Sequence, residues 1–123
     1  MITTISTTNQ VVTVINVFTV NPQNQQRLVN LLIHMAERIM KKQPGYVSTN
    51  IHKSLDGMRV VNYAQWRSRE DFDAIFRIPE VVEHMAEIMA FAKSDYHLND
   101  VIYSDGPSRD PPGMEEPGLD PSS

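Results

Sequence analysis

The sequence predicts an α+β domain of β-α-β-β-α-β order, and three observations carry that prediction. Residues 11–20, VVTVINVFTV, are an apolar, β-branched run stopped by Asn21-Pro22, which reads as a strand covered on both faces. Across residues 25–42, and again across 79–92, apolar side chains recur at helical spacing. Between these stretches, runs 46–54 and 58–66 flank Asp56-Gly57, a strong short-range hairpin signal.

The elements follow in order. Residues 1–10 are mostly Thr, Ser, Asn and Gln and read as a flexible lead. The first strand is interrupted in its middle by Asn16. Asn24 stands where a helix cap is expected. Leu28, Leu32, Met35, Ala36 and Ile39 then form an apolar stripe, with Arg27, Asn30, His34, Glu37, Arg38 and Lys41 opposite. Lys41 and Lys42 suit the negative end of the helix dipole, and Pro44-Gly45 ends the segment. After the hairpin, Ser68 followed by Asp71 resembles a capping box and opens a short helix through Phe72 and Phe76. Pro79 suits the first turn of a second helical piece, whose stripe is Val81, Val82, Met85, Ile88, Met89 and Ala92. A last strand is expected over roughly 96–104. Residues 105–123 hold five of the eight prolines and almost no large apolar residue, so they are expected not to fold.

Two β-α-β halves around a central hairpin make a ferredoxin-like domain over residues 11–104, with a four-stranded antiparallel sheet. Its helices cover one face. The first strand is nevertheless apolar on both, and the chain offers no spare element for the other. A second copy placed sheet against sheet is the economical cover, so a homodimer is expected.

Composition narrows the function. The 123 residues fit one domain. A net charge of −4 argues against nucleic acid, which needs a basic surface, and against a polybasic membrane anchor. The absence of cysteine excludes disulfides, thiolate catalysis and Cys-based zinc sites. No signal peptide or membrane span is legible, and the expected location is the cytoplasm. There is no phosphate-cradling glycine loop and no dinucleotide fingerprint. The four histidines fall on four separate elements without metal-ligand spacing, so no metal site is expected.

The third strand is the most informative segment. In VVNYAQW, residues 60–66, strand parity puts Val60, Asn62, Ala64 and Trp66 on one face and Val61, Tyr63 and Gln65 on the other. Parity also allows Val14, Asn16 and Phe18 to face the helices. A buried amide and a buried indole N–H need partners. An oxygen-rich ligand would supply them; a neighbouring backbone group would do so equally. If Val47, Thr49 and Ile51 point inward, Tyr46, Ser48, Asn50 and His52 share the face away from the helices.

The run PGYVSTNIHKSLDGMRVVNYAQW, residues 44–66, continuing through Ser68 and Phe72, resembles the antibiotic biosynthesis monooxygenases, with the likeness extending over about residues 11–104. The VVNYAQW run after an Asp-Gly hairpin is most similar to the branch that oxidises anthrones and related polyketide phenols to quinones. The resemblance implies a dimeric α/β barrel, no metal, flavin or haem cofactor, and a small aromatic substrate with dioxygen. It implies Asn62 and Trp66 as catalytic amide and indole. Asn16 and Phe18, by parity, and Phe72, His84 and Met85, by family position, are the candidate substrate-binding residues. The chain carries Ile39 where that branch tends to have a second Trp, Phe72 where it has Tyr, and His84 and Met85 where an Arg falls. Two alternatives stand beside this reading. One is a haem-degrading branch, which uses a first-strand Asn and a helical His, near Asn16 and His84. The other is a non-catalytic ligand-binding or assembly module on the same fold.

Overall fold

The computed structural model describes residues 2–107. The expected order is present: β1 (Val12–Val20), α1 (Gln25–Arg38), β2 (Tyr46–Lys53), β3 (Arg59–Trp66), α2 (Arg69–Ala74), α3 (Pro79–Met89) and β4 (Ala92–Asn99). Short 3-10 turns at Pro22–Asn24, Met40–Lys42 and Ile75–Arg77 join them. The four strands form one antiparallel sheet in the order β2-β3-β1-β4, the ferredoxin-like arrangement. Among the described residues no helix is long and apolar enough to cross a membrane.

Two helix starts are held differently, one by tertiary contacts and one by a local cap. Asn24 occupies the cap position of α1 but makes no side-chain cap bond. The start of the helix is held instead by the buried Gln25, whose amide donates to the carbonyls of Ser54 and Arg59 at 3.0 and 2.9 Å, tying α1 to the β2–β3 loop. At α2 the expected cap is made: Ser68 Oγ accepts from the Asp71 N–H at 3.1 Å and donates to the Asp71 carboxylate at 2.9 Å. Arg67 donates to that carboxylate at 2.8 Å. These bonds, Arg67 first, hold the Asp71 carboxyl below the usual carboxylate range.

Gly45 lies against this cap. It has a φ of +80°, and a side chain built there would run into the Asp71 carboxylate. Gly45→Ala is therefore expected to lower stability by about 1–3 kcal/mol, adding left-handed strain to a clash. The measurement is the melting temperature; an unchanged value would mean that the cap yields freely.

The last strand differs from the expectation over 96–104. It runs Ala92–Asn99 and pairs with β1 from Val20↔Ala92 to Thr13↔Asn99. As a sheet edge half open to water, it needs few apolar residues, so its signal is weak. The apolar trio Val101, Ile102 and Tyr103 lies beyond it, with Ile102 and Tyr103 exposed. Ala92 consequently belongs to β4 rather than to the α3 stripe. Val82 and Met89, also expected in that stripe, are exposed.

The lead is not free. Thr3 Oγ1 accepts from the Asn50 amide, and the Thr4 carbonyl accepts from Gln65 Nε2 at 2.8 Å. It crosses the outer sheet face at the row Ser48–Gln65–Thr13, all three of which are buried. It is the spare element that the sequence reading did not find, and it covers one end of that face only. Of the tail expected not to fold, residues 105–107 carry no regular structure and residues 108–123 lie outside the described residues.

On the inner face the core divides in two. Phe18, Val20 and Val60 pack with Leu28, Leu32, Met35, Val81 and Ile88 of α1 and α3. Val14, Ala64 and Trp66 pack with Phe72 and Ile75. The division falls where β1 and β3 each place an asparagine between apolar neighbours.

Candidate active site

Strand register decides what meets at that division. Asn16 lies opposite Asn62 on one side and Tyr96 on the other, and Asn62 lies opposite Ile51. Directly opposed side chains in an antiparallel pair have Cβ atoms about 4.5–5.5 Å apart. The sheet therefore carries one transverse row, Ile51–Asn62–Asn16–Tyr96, facing the helices. A cavity stands over this row, bounded by β1, β3 and Tyr96 below, and by α1, α2 and α3 above.

Of the seven candidate residues from the sequence, six line this cavity: Asn62, Trp66, Asn16, Phe18, Phe72 and Met85. His84 does not. It stands on the α1-facing side of α3 beside His34, with ring centroids 5.7 Å apart, and its Nδ1 is buried without a hydrogen-bond partner. One residue along, Met85 takes the cavity side, because the helix turns about 100° per residue.

The two asparagines are held differently. Asn16 Oδ1 accepts from Ser94 Oγ at 2.9 Å. Asn62 Oδ1 is fully buried and has no partner. Leaving a buried acceptor unsatisfied costs about 1–3 kcal/mol, so this atom is where the site is incomplete. As it stands the oxygen is sealed from the cavity and the amide offers its N–H end to a bound oxyanion; turned over, it offers the oxygen to a ligand O–H, so one side chain serves both protonation states of a phenol.

The surroundings are aromatic and neutral. Trp66 meets Tyr46 and Phe72 edge-on, at 5.6 and 6.2 Å between ring centroids. Tyr46 reaches the indole because of a β-bulge. Its register partner is Trp66, but the next pairing is Ser48↔Gln65, so Val47 is the extra residue. This corrects the assignment of Tyr46 to the outer face with Ser48 and Asn50. Its hydroxyl donates to Thr49 Oγ1 at 3.0 Å. Among the described residues, no carboxylate, lysine, arginine or histidine lines the cavity. Dipoles in such a low-dielectric setting act more strongly than in water.

Space is limited. The non-atom volume is about 700 Å³ with the open mouth included, but only about 80 Å³ could hold the centre of a water molecule. Ligand pockets commonly offer about 300–1,000 Å³. A polycyclic ligand thus enters edge-on or displaces the rings at the mouth. Those rings are Phe76 and Tyr96, stacked at 6.0 Å and 38% and 43% exposed.

Sequence reading missed Tyr96 and Phe76. Parity places Ala92, Ser94, Tyr96 and Leu98 inward on β4, but which face of this edge strand meets the helices is set by its pairing with β1, and Phe76 enters from the 3-10 turn Ile75–Arg77.

Comparison with known proteins agrees with this geometry. Residues 11–87 match the model of the antibiotic biosynthesis monooxygenase family. Tetracenomycin-F1 monooxygenase of Streptomyces glaucescens is 43% identical over 81 residues, 66% of this chain and 72% of that protein. Among solved structures, the monooxygenase ActVA-Orf6 of Streptomyces coelicolor, in complex with nanaomycin D, is 27% identical. It aligns with a TM-score of 0.67 over 79% of this chain and 92% of its own. SnoaB of Streptomyces nogalater, a cofactor-independent oxygenase, shares the fold at 23% identity and a TM-score of 0.67, over 78% and 97% of the two chains. With its ferredoxin-like sheet, and an apolar cavity over an asparagine row, this chain belongs to the antibiotic biosynthesis monooxygenase family.

Proposed function

We propose that this monooxygenase works without metal, flavin or haem and oxidises an electron-rich aromatic of the polyketide phenol or anthrone type with dioxygen. The observation that carries the reading is the unpartnered, buried Asn62 Oδ1 at the floor of an aromatic-walled, uncharged cavity. The named relatives are oxygenases by name, and one is described in complex with the ligand nanaomycin D.

In this chemistry the substrate supplies the electrons. Loss of its acidic proton gives an anion able to reduce dioxygen directly. One oxygen atom ends in a new carbonyl and the other in water. Asn62 and Asn16 stabilise the oxyanion, Trp66 and Phe72 hold the flat ring, and the apolar wall keeps bulk water out. Among the described residues no strong base lines the cavity, so the substrate's own acidity starts the reaction.

A homodimer through the outer sheet face is part of the proposal. Beyond the row covered by the lead, Ile15, Val17, Val61 and Tyr63 form a half-buried apolar strip on the two central strands. Polar Asn50 and His52 flank it on one edge, and Asp95 and His97 on the other. An apolar centre with a polar rim is the anatomy of a protein interface. The haem reading has little support, because His84 and Asn16 do not meet at one cavity.

The test is oxygen uptake with a panel of hydroxyanthrones and hydroquinones, with no cofactor added. The expected result with a hydroxyanthrone is one dioxygen consumed and no peroxide released per quinone formed, faster than spontaneous autoxidation. Tight binding of these compounds without any acceleration would replace the enzyme reading with that of a ligand-binding module.

A further inference from the structure

We infer that Tyr96 is the proton donor to the reduced oxygen, a catalytic role that rests on the monooxygenase reading above. Five side chains on the cavity wall carry nitrogen or oxygen: Asn16, Thr49, Asn62, Trp66 and Tyr96. Amides and indoles do not ionise in the working range, and the Thr49 hydroxyl is engaged by Tyr46. Tyr96 is therefore the single ionisable side chain among the described lining residues. A phenol is a proton donor near neutral pH.

Its position suits the task. Tyr96 is the direct register partner of Asn16 and lies two strands from Asn62 in the same transverse row. Its ring stands 5.7 Å from Phe72 and stacks on Phe76. It lines the cavity and is 43% exposed, so it stands where the cavity meets solvent and the hydroxide formed there can leave to water. The asparagines stabilise charge but have no proton to give, and the reaction cannot finish without one.

The steps balance. The substrate carbanion gives its electrons to dioxygen, forming a C–O bond and leaving a peroxide anion on carbon. Tyr96 transfers its hydroxyl proton to the distal oxygen, giving a hydroperoxide and a tyrosinate. The tyrosinate then takes back the remaining C–H proton. As that C–H bond breaks, the carbonyl forms and the O–O bond opens, releasing hydroxide. Hydroxide joins the proton lost in the first ionisation to make water, and Tyr96 is restored.

The test compares Tyr96→Phe with the intact protein in oxygen uptake, quinone formation and peroxide release. Tyr96→Phe keeps the stacked ring and removes only a hydroxyl from a residue that is 43% exposed, so melting temperature is expected to stay the same. Its kcat is expected to fall about 100-fold or more, with KM little changed. Peroxide is expected to appear in solution, so that dioxygen consumed exceeds quinone formed. Tyr96→His, which supplies another proton donor, is expected to recover part of the lost kcat. Equal kcat and no peroxide in Tyr96→Phe would overturn the assignment and leave Tyr96 a mouth residue. No turnover by the intact protein would overturn the underlying monooxygenase reading instead.

Discussion

Replacing Asn62 by alanine is expected to reduce turnover about 100- to 1000-fold, the loss of about 3–4 kcal/mol typical for one donor removed from a dry oxyanion site. Melting temperature is expected to hold or rise. The reason is specific to this chain. An asparagine tied to neighbouring backbone would be missed by the fold when removed, at about 0.5–1.5 kcal/mol for its bond. Asn62 Oδ1 is buried with no such bond, so its removal takes away an unsatisfied group and breaks nothing. Activity and stability therefore move in different directions. Both are measured on the same preparations, by oxygen consumption with the best substrate of the screen and by thermal melting. An Asn62→Ala protein that melts early yet keeps its specific activity would end the catalytic assignment and return Asn62 to the fold.

Val17→Asp is expected to abolish the proposed homodimer. Val17 lies between Val61 and Asp95 across the sheet, in the apolar strip of the outer face. Enclosing an uncompensated charge there costs about 3–5 kcal/mol per buried site. A second charge, from the same residue of the partner or from the adjacent Asp95, adds repulsion. Light scattering is expected to give twice the 14.0 kDa chain mass for the intact protein and the single mass for the variant. Val82→Asp, on the exposed side of α3, is the control and is expected to remain dimeric. An intact protein that is monomeric at micromolar concentration would show that the lead and solvent suffice for that face.

Particular elements show how far the residues alone could be read. Strand parity in VVNYAQW is enough to place Asn62 and Trp66 on one face, toward the helices, and the same alternation allows Asn16 and Phe18 to join them. Parity is a local property of a regular pleated backbone and holds as long as no bulge interrupts the strand. It failed at Tyr46, where the bulge at Val47 inserts one residue and reverses the faces before it. At β4 the boundary rather than the parity was at fault, because an edge strand carries too little apolar signal to locate its start.

Local pattern therefore determined the order of elements, the hairpin, the α2 cap and the inward face of the central strands. Each depends on neighbours within a few residues. Only the tertiary structure decided that Asn62, Asn16 and Tyr96 share one row, since register between strands far apart in sequence sets that alignment. It likewise turned His84 toward His34, laid the polar lead over Thr13 and Gln65, and gave Ser94 to Asn16 while leaving Asn62 without a partner. Whether a buried polar atom is satisfied depends on groups brought near by folding, which no spacing along the chain records.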